Sequence, residues 1–231
     1  MQNEHIPVLL DEAIAGLNIN PDGIYVDCTL GGAGHASEIL RRLSAQGFLY
    51  CFDQDNYSVL RGKERLSNIS DNFTVIEDNF LNLKKHLEIL GVNKVDGILY
   101  DLGVSSFQLD IGERGFSYNF DAKLDMRMDQ SQGLTAYDIV NSYSISELKK
   151  IFYEYGEERF APRIAKRIII EREKKPIETT FELVEVIKKA IPAATRRSGG
   201  HPAKKVFQAL RIAVNNELEV FEKSRSEEHT P

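Results

Sequence analysis

The 231-residue chain is predicted to have an α/β fold in which helices cover both faces of a parallel sheet. Short apolar runs alternate with polar segments in which apolar residues recur three and four positions apart, a pattern typical of strand–helix–strand units. The chain is also apolar enough, at 42% hydrophobic residues, to bury a large core. Ligands of such sheets bind at the carboxyl ends of the strands, so the ligand contacts are expected among the residues that follow each strand.

The strands are predicted in the first hundred residues and the helices throughout the chain. The predicted strands are Gly23–Thr29, Gly47–Phe52, Asn72–Ile76 and Val95–Leu102. Helices are predicted among them at Ala36–Arg42, Tyr57–Leu66 and Asn82–Leu90. After residue 103 the strand pattern stops, and helices are predicted at Ser146–Tyr155, Arg163–Arg172, Thr180–Ala190 and Ala203–Phe221. Ser146 and Thr180 are the expected N-caps of the first and third of these.

The composition restricts the class of protein. The chain contains no apolar run long enough for a membrane span, and its first residues lack the pattern of a signal peptide, so we expect a cytoplasmic protein. Cys28 and Cys51 fall in strand-like runs without zinc spacing and are expected to fill the core. Because His35 and His201 also lack ligand partners, no metal site is predicted.

The formal charge of −6 hides an asymmetry along the chain. Residues 163 to 211 contain 13 Lys and Arg against 5 Asp and Glu, a local excess of +8. The remaining residues contain 16 against 30 and therefore carry −14. One part of the chain could thus face phosphates although the whole is acidic.

A glycine-rich turn joins the first predicted strand to the first helix. It covers Val26 to His35 and includes Gly31, Gly32 and Gly34. Small residues let the backbone approach a ligand, and the helix N-terminus offers free N–H groups. The segment lacks the last glycine of a dinucleotide fingerprint, and a tight turn without a ligand is the alternative.

Acidic and aromatic residues follow the other strands. Asp53 lies 22 residues after Gly31, a spacing that suits a carboxylate bound to ribose hydroxyls of either NAD or S-adenosylmethionine. Phe80, after the third strand, is either an adenine contact or a core residue. Asp101, after the fourth, is expected to hold the ammonium of a methionine moiety or to accept a hydrogen bond from a substrate amine, and it is the candidate catalytic residue.

These residues and several later motifs resemble the bacterial ribosomal RNA small-subunit methyltransferase H family. The resemblance runs from His5 to about Glu219. Besides the glycine turn, the matching segments are Asp101–Ser106, Glu113–Ser117, Leu124–Met128, Tyr155–Ala161 and His201–Ile212. Five ordered motifs are much more specific than any one of them.

The resemblance implies a Rossmann-like class I methyltransferase core with an inserted helical substrate domain. It implies S-adenosyl-L-methionine as cofactor and methylation of N4 of a cytidine in the decoding region of small-subunit (16S) ribosomal RNA. The cofactor contacts that it implies are Ala33, Gly34, His35, Asp53, Phe80, Asp101 and Gln108. Other members carry glycine where this chain has Ala33, and a methyl group there would be harmful if the backbone φ is positive.

The resemblance also implies a division of the chain. Residues 1–124 are expected to form the cofactor-binding core, 125–205 the helical insert, and 206–223 a helix that returns to the core. Residues 224–231 resemble a translated sequencing adapter and are expected to be non-native. The family continues beyond this point into further strands, so we expect the last strands of the sheet to be missing and the activity of this chain to be uncertain.

The RNA contact is expected in the segment from Thr195 to Lys205, which is cationic and rich in glycine. Arg196, Arg197, Lys204 and Lys205 are the candidate phosphate contacts. A solvated loop is the alternative. For the target base, Phe107, Phe116 and Tyr118 are candidate stacking residues, with packing as the alternative.

Two other functions remain open at this level. An NAD-dependent oxidoreductase would use the same glycine turn and Asp53, but the sequence offers no catalytic Tyr/Lys or His dyad for it. A catalytically inactive RNA-binding fragment would bind ribosomal RNA, or the assembled small subunit, without turnover.

Overall fold

The computed structural model describes residues 7–193, 195 and 200–228 of the chain. The chain divides into two compact units, the first formed by the residues up to Phe107 together with those from Leu218 onward, and the second by Gln108–Glu217. Over the described ranges, none of the helices has the length and apolar character that crossing a bilayer requires.

The first unit contains a four-stranded parallel sheet. Its strands are β1 (Ile24–Asp27), β2 (Phe48–Asp53), β3 (Phe73–Glu77) and β4 (Gly97–Leu99). Their order is β3-β2-β1-β4, and Asp27 at the end of β1 is in register with Cys51 of β2 and Leu99 of β4. This is the strand order of one Rossmann half with a fourth strand added across the switch point. The predicted α/β fold with a parallel sheet is confirmed.

Helices cover both faces of this sheet. The helices of the first unit are α1 (Leu10–Leu17), α2 (Gly34–Arg42), α3 (Asn56–Ser67), α4 (Leu83–Ile89) and the greater part of the last helix. On one face, β-strand residues such as Leu49 and Cys51 pack with Ile39 of α2. On the other face, Phe52 packs with Leu87 of α4. Neighbouring residues of a strand therefore serve opposite cores, as the two-residue period of a strand requires.

The two cysteines behave as the sequence predicts. Cys28 and Cys51 are both buried free thiols, and they lie in the cores on opposite faces of the sheet. Burial raises the pKa of the Cys51 thiol well above its usual range. Both side chains therefore act as small apolar residues.

The second unit is helical in the part of the chain that the structure describes. Its helices are α5 (Ser106–Asp110, which begins in the first unit), α6 (Ala136–Ser142), α7 (Ile145–Glu154), α8 (Ala161–Arg172), α9 (Thr180–Ala190) and α10 (Lys204–Asn215). Helix α7 packs on α8, α8 on α9, and α10 on both α6 and α7. Buried Leu148, Phe152 and Ile164 contribute to this packing.

Both predicted N-caps are wrong, one by two residues and the other by one. Helix α7 is capped by Ser144 rather than Ser146, and α9 by Thr179 rather than Thr180. In each case the capping hydroxyl stands three residues before a glutamate, which completes a reciprocal capping box. This motif, visible in the sequence, locates the start of each helix.

The predicted helix over Ala203–Phe221 is also wrong as a single helix. The chain breaks at Asn216, which has φ 49° and ψ 36°, and a further helix, α11, spans Glu217–Glu228. Asparagine tolerates this left-handed conformation and ends helices for that reason. Glu217 then accepts hydrogen bonds from Arg211 through both carboxylate oxygens, at 2.7 and 3.0 Å, which fixes the bend.

Helix α11 packs against Tyr100, the residue that follows the edge strand β4. The Ser224 hydroxyl is 2.8 Å from the Tyr100 hydroxyl, and the Tyr100 ring lies edge-on to Phe221 at 5.2 Å. Ser224 is 1% exposed. The interpretation of residues 224–231 as non-native stays a prediction.

The close packing of α3 on the turn after β1 gives the first prediction. A Cβ added at Gly62 of α3 would lie 2.5 Å from a Leu30 methyl group, and Leu30 is 2% exposed. Gly62→Ala should therefore overpack the core and lower the free energy of unfolding by about 1–3 kcal/mol. Gly16→Ala in α1 is the matched control, since nothing lies within 4 Å of its added Cβ.

For Gly16→Ala we expect a gain of up to about 1 kcal/mol from helix propensity alone. Urea unfolding of the two variants and the wild type measures both changes. Equal effects of the two substitutions would contradict the packing of α3 against Leu30.

Candidate functional site

Three carboxylates lie at the carboxyl ends of neighbouring strands. Asp27 ends β1, Asp53 ends β2, and Asp101 follows β4 by two residues. Because the strands are parallel and β1 lies between β2 and β4, the three acids share one edge of the sheet. Two of them, Asp53 and Asp101, are predicted site residues, and Asp27 is an addition that the structure makes.

The turn after β1 is fastened to the strands on both of its sides. Toward β4, the Cys28 N–H donates to the Leu99 carbonyl at 2.9 Å. Toward β2, the Leu30 N–H donates to the Phe52 carbonyl at 3.0 Å, and the Gly31 N–H donates to Asp53 Oδ2 at 2.8 Å. The turn is therefore a rigid backbone surface and not a loose loop.

Asp53 supports this turn from the β2 side. Its second oxygen accepts from the Asp55 N–H at 2.9 Å, so the carboxylate holds two backbone donors at once. Burial nevertheless raises the pKa of Asp53 to about 6, against the opposing effect of the Asp55 and Gly31 N–H groups. Each carboxylate oxygen has two lone pairs, so Asp53 retains acceptor sites for ligand hydroxyls.

Ala33 has the conformation in which its methyl group is unfavourable. It has φ 58° and ψ 28°, and it is fully buried at the start of α2. A non-glycine residue in this region costs of the order of 1 kcal/mol, which the surrounding packing must offset. Arg65 of α3 helps to hold the turn, because its guanidinium donates to the Gly32 carbonyl at 2.9 Å.

The next two residues of α2 are tightly enclosed. A Cβ at Gly34 would lie 2.2 Å from the Pro7 ring, so only glycine fits there. His35 is 6% exposed, and its Nδ1 is 3.6 Å from Asp101 Oδ2. This distance is too long for a hydrogen bond. The other ring nitrogen, Nε2, is buried and has no hydrogen-bond partner.

Asp27 is the site residue that the sequence reasoning missed. It is 1% exposed, and Asp27 Oδ1 accepts from the Thr29 N–H at 3.0 Å. Burial, with a smaller contribution from the nearby charges of Asp101 and Asp53, raises its pKa to about 7 against the opposing effect of the Thr29 N–H. The available signal was its position as the last residue of an apolar strand before the glycine turn.

Phe80, Asp101 and Gln108 are the other predicted cofactor residues, and their environments differ. Phe80 is half-buried at the end of β3, and its ring lies edge-on to Tyr100 at 5.4 Å. The Asp101 side chain is 49% exposed. Gln108 is buried in the short helix α5, as the first residue of the second unit.

The predicted RNA contacts are partly described. Arg196 and Arg197 lie outside the described residues. Lys204 and Lys205 are exposed at the start of α10, and the Lys205 ammonium donates to the Glu157 carbonyl at 2.8 Å. Of these two lysines, Lys204 is therefore the better placed to meet a phosphate.

The three candidate stacking residues differ in environment. Phe116 is 5% exposed and contacts the Arg114 guanidinium. The Tyr118 ring stacks on the His201 ring, with centroids 4.1 Å apart. The Phe107 ring lies edge-on to Tyr57 and close to Gly32 of the turn.

Across 7–193, 195 and 200–228, no three His, Cys, Asp or Glu side chains gather closely enough to hold a metal ion. The three strand-end acids share the carboxyl edge of the sheet, and burial raises the pKa of Asp27 and Asp53.

Comparison with known proteins gives one family. The model of the MraW methylase family matches residues 2–229. Ribosomal RNA small subunit methyltransferase H of Exiguobacterium sibiricum is 61% identical over 221 residues, which are 96% of this chain and 70% of that protein.

Two solved structures share a lower likeness. An rRNA-methylase candidate from Clostridium thermocellum aligns over 44% of this chain and 54% of its own, with 18% identity and a TM-score of 0.39. PKMT2 from Rickettsia typhi, in complex with AdoHcy, aligns over 94% and 41%, with 13% identity and a TM-score of 0.31. Neither likeness is close enough to indicate a shared function.

Burial of Asp27 gives a prediction about pH. Because the folded chain holds this proton more tightly than the unfolded chain, Asp27 stabilises the fold below its ordinary pKa of 3.8 and loses that effect as pH rises toward 7. The free energy of unfolding of Asp27→Asn, relative to that of wild type, should therefore increase by roughly 1–4 kcal/mol when the pH is raised from 5 to 8.

The measurement is urea unfolding of wild type and variant at both pH values. Asp71→Asn, at an exposed aspartate, is the control and should change little. A wild-type-to-variant difference that does not depend on pH would contradict the raised pKa of Asp27.

Proposed function

Since the chain belongs to the MraW methylase family, we propose that it is an S-adenosylmethionine-dependent methyltransferase that modifies small-subunit ribosomal RNA. The observation that carries the proposal is the rigid glycine turn beside strand-end acids in a chain 61% identical to a ribosomal RNA methyltransferase. Membership of this family favours a methyltransferase over the alternative of an NAD-dependent oxidoreductase. The target that we propose is the N4 amino group of a cytidine in the decoding region.

The residues at the sheet edge fit this cofactor. S-adenosylmethionine carries a methyl group on a positively charged sulfonium, which makes that group open to attack by a nucleophile. The three acids favour a ligand with positive charge, and Asp53 offers acceptors for ribose hydroxyls. The small residues Gly31 and Gly32 let a ligand approach the backbone. The buried Nε2 of His35, which lacks a hydrogen-bond partner, supports a polar ligand group nearby.

The cofactor contacts that we propose follow the residues already described. They are Ala33, Gly34, His35, Asp53, Phe80, Asp101 and Gln108. Gly34 and His35 begin α2, and the first N–H groups of a helix, which have no acceptor within the helix, favour a carboxylate. Phe80 offers an apolar ring for an adenine.

Asp101 is the proposed catalytic residue. The amino group of cytosine is a weak nucleophile because its lone pair is delocalised into the ring, so the enzyme must orient it. The exposed Asp101 carboxylate can accept an N–H of a flipped-out base and direct the nitrogen lone pair toward the methyl group. Positioning, rather than strong base catalysis, then supplies most of the acceleration.

The RNA is proposed to meet the basic part of the chain. Exposed Arg159 and Arg163 flank the Phe160 ring, with guanidinium carbons 4.8 and 6.0 Å from its centroid, and Lys204 is exposed on α10. Arg196, Arg197 and Lys205 are proposed to contribute further cationic contacts. Bacterial ribosomal RNA is cytoplasmic, and we propose the same location for this protein and either free RNA or the assembled small subunit as its partner.

Binding of the cofactor is tested by calorimetric titration. S-adenosylmethionine should bind the wild-type chain, and NAD should not. Asp53→Ala should weaken binding at least about tenfold, since it removes the ribose acceptor and loosens Gly31. Asp71→Ala is the matched control at an exposed aspartate, and circular dichroism establishes that each variant is folded.

Binding of NAD alone would overturn the methyltransferase proposal. Binding of S-adenosylmethionine without methyl transfer to small-subunit RNA would instead support an RNA-binding protein without turnover. A folded wild-type chain that binds neither ligand would contradict the proposed site.

The RNA contact is tested through its dependence on salt. Lys204→Ala should weaken binding to small-subunit RNA and lower the slope of log affinity against log salt by about one, as expected when one phosphate contact is lost. Lys63→Ala removes the same charge from an exposed position on α3 and is the control. Equal slopes for the two variants would contradict a phosphate contact at Lys204.

A further inference from the structure

The Thr29 hydroxyl joins two of the strand-end acids. The Asp101 N–H donates to Thr29 Oγ1 at 2.7 Å, although the two residues are 72 positions apart in the sequence. The same hydroxyl lies 3.4 Å from Asp27 Oδ1, which also accepts from the Thr29 N–H. Thr29 therefore lies between the buried acid of β1 and the exposed acid that follows β4.

The geometry fixes the direction of these hydrogen bonds. Since the Asp101 N–H can only donate, Thr29 Oγ1 must accept from it, and the hydroxyl proton is then free to point toward the Asp27 oxygen. The buried Asp27 carboxyl also holds the Thr29 backbone. The Asp27 side chain thus positions Thr29, whose hydroxyl oxygen accepts from the Asp101 N–H.

The Asp101 backbone lies where sheet pairing has ended. Pairing of β4 with β1 stops at Leu99, whose carbonyl accepts from the Cys28 N–H just past the strand. The chain then turns at Gly103, which has a φ of 153° that other residues rarely adopt. The hydrogen bond from Asp101 to Thr29 therefore extends the attachment between β4 and β1 beyond the last paired residues of the two strands. It does so at Asp101, the proposed catalytic residue.

We propose that Thr29 is a positioning residue that fixes Asp101 for the cofactor and the substrate amine. This role rests on the proposed function, because it acts through Asp101. Thr29 need not touch either ligand. Without the Thr29 hydroxyl, the Asp101 N–H loses its hydrogen-bond acceptor. The Asp101 carboxylate then samples more orientations and binds the cofactor less tightly.

Amide hydrogen exchange of the free protein tests the contact itself. Thr29→Val removes the hydroxyl and keeps the shape, whereas Thr29→Ser keeps the hydroxyl. We expect protection of the Asp101 amide to fall about tenfold in Thr29→Val and to stay within about threefold of wild type in Thr29→Ser. Thr74→Val, the same change at a half-buried position of β3, should leave the Asp101 amide unchanged.

A double-mutant cycle tests whether Thr29 acts through Asp101. Thr29→Val should weaken S-adenosylmethionine binding about five- to tenfold in the wild-type background and less than about twofold in the Asp101→Ala background. A merely structural role would give the same factor in both backgrounds. Recovery of affinity in Thr29→Ser would identify the hydroxyl as the group responsible.

The outcomes separate this role from the proposed function. A wild-type chain that fails to bind S-adenosylmethionine would overturn both. Binding by wild type with equal factors in the two backgrounds, or unchanged protection of the Asp101 amide in Thr29→Val, would overturn the role of Thr29 alone.

Discussion

The attachment of one short turn to strands on both of its sides is the constraint on which the candidate site depends. The Cys28 N–H donates to β4 on one side, and the N–H groups of Leu30 and Gly31 donate to β2 residues on the other. The turn follows the strand β1, which has a partner on each side, so it cannot move without disturbing both neighbours. Preorganisation of this kind lets a site orient its ligand without a further loss of backbone entropy on binding.

The same site contains local features that oppose stability. Ala33 has a left-handed backbone, and Asp27 and Asp53 are acids whose pKa values burial raises to about 7 and about 6. Such features cluster where a ligand later offsets them, since a positively charged ligand lowers the cost of keeping both acids ionised. A region optimised only for stability would contain glycine at residue 33 and a neutral side chain at residue 27.

Much of the fold followed from the sequence because its signals are local. The alternation of apolar runs located the strands and the helices between them to within a few residues, and burial of Cys28 and Cys51 followed from the same runs. The errors lay at helix ends and in three helices, α1, α5 and α6, that were not predicted. Capping boxes and the left-handed Asn216 decide where a helix begins or breaks, and apolar periodicity does not report either feature.

The site was less accessible to sequence reasoning, because its decisive contacts join distant segments. Asp53 was identified from its spacing, but its bond to Gly31 depends on the register of β1 and β2. Thr29 carried no recognisable pattern of its own, and only folding brings it to Asp101. The boundaries at residues 124 and 205, and the proposed ligand contacts, remain predictions.

Helix α11 reaches Tyr100 only late in the synthesis of the protein. The Tyr100 ring meets Phe221 of α11, and the whole second unit is made between these two residues. At ribosomal rates of about 5–20 residues per second, roughly 6–25 seconds pass between the synthesis of Tyr100 and that of the helix that packs against it. During that interval the nascent first unit exposes the Tyr100 ring, which the side chains of α11 later contact.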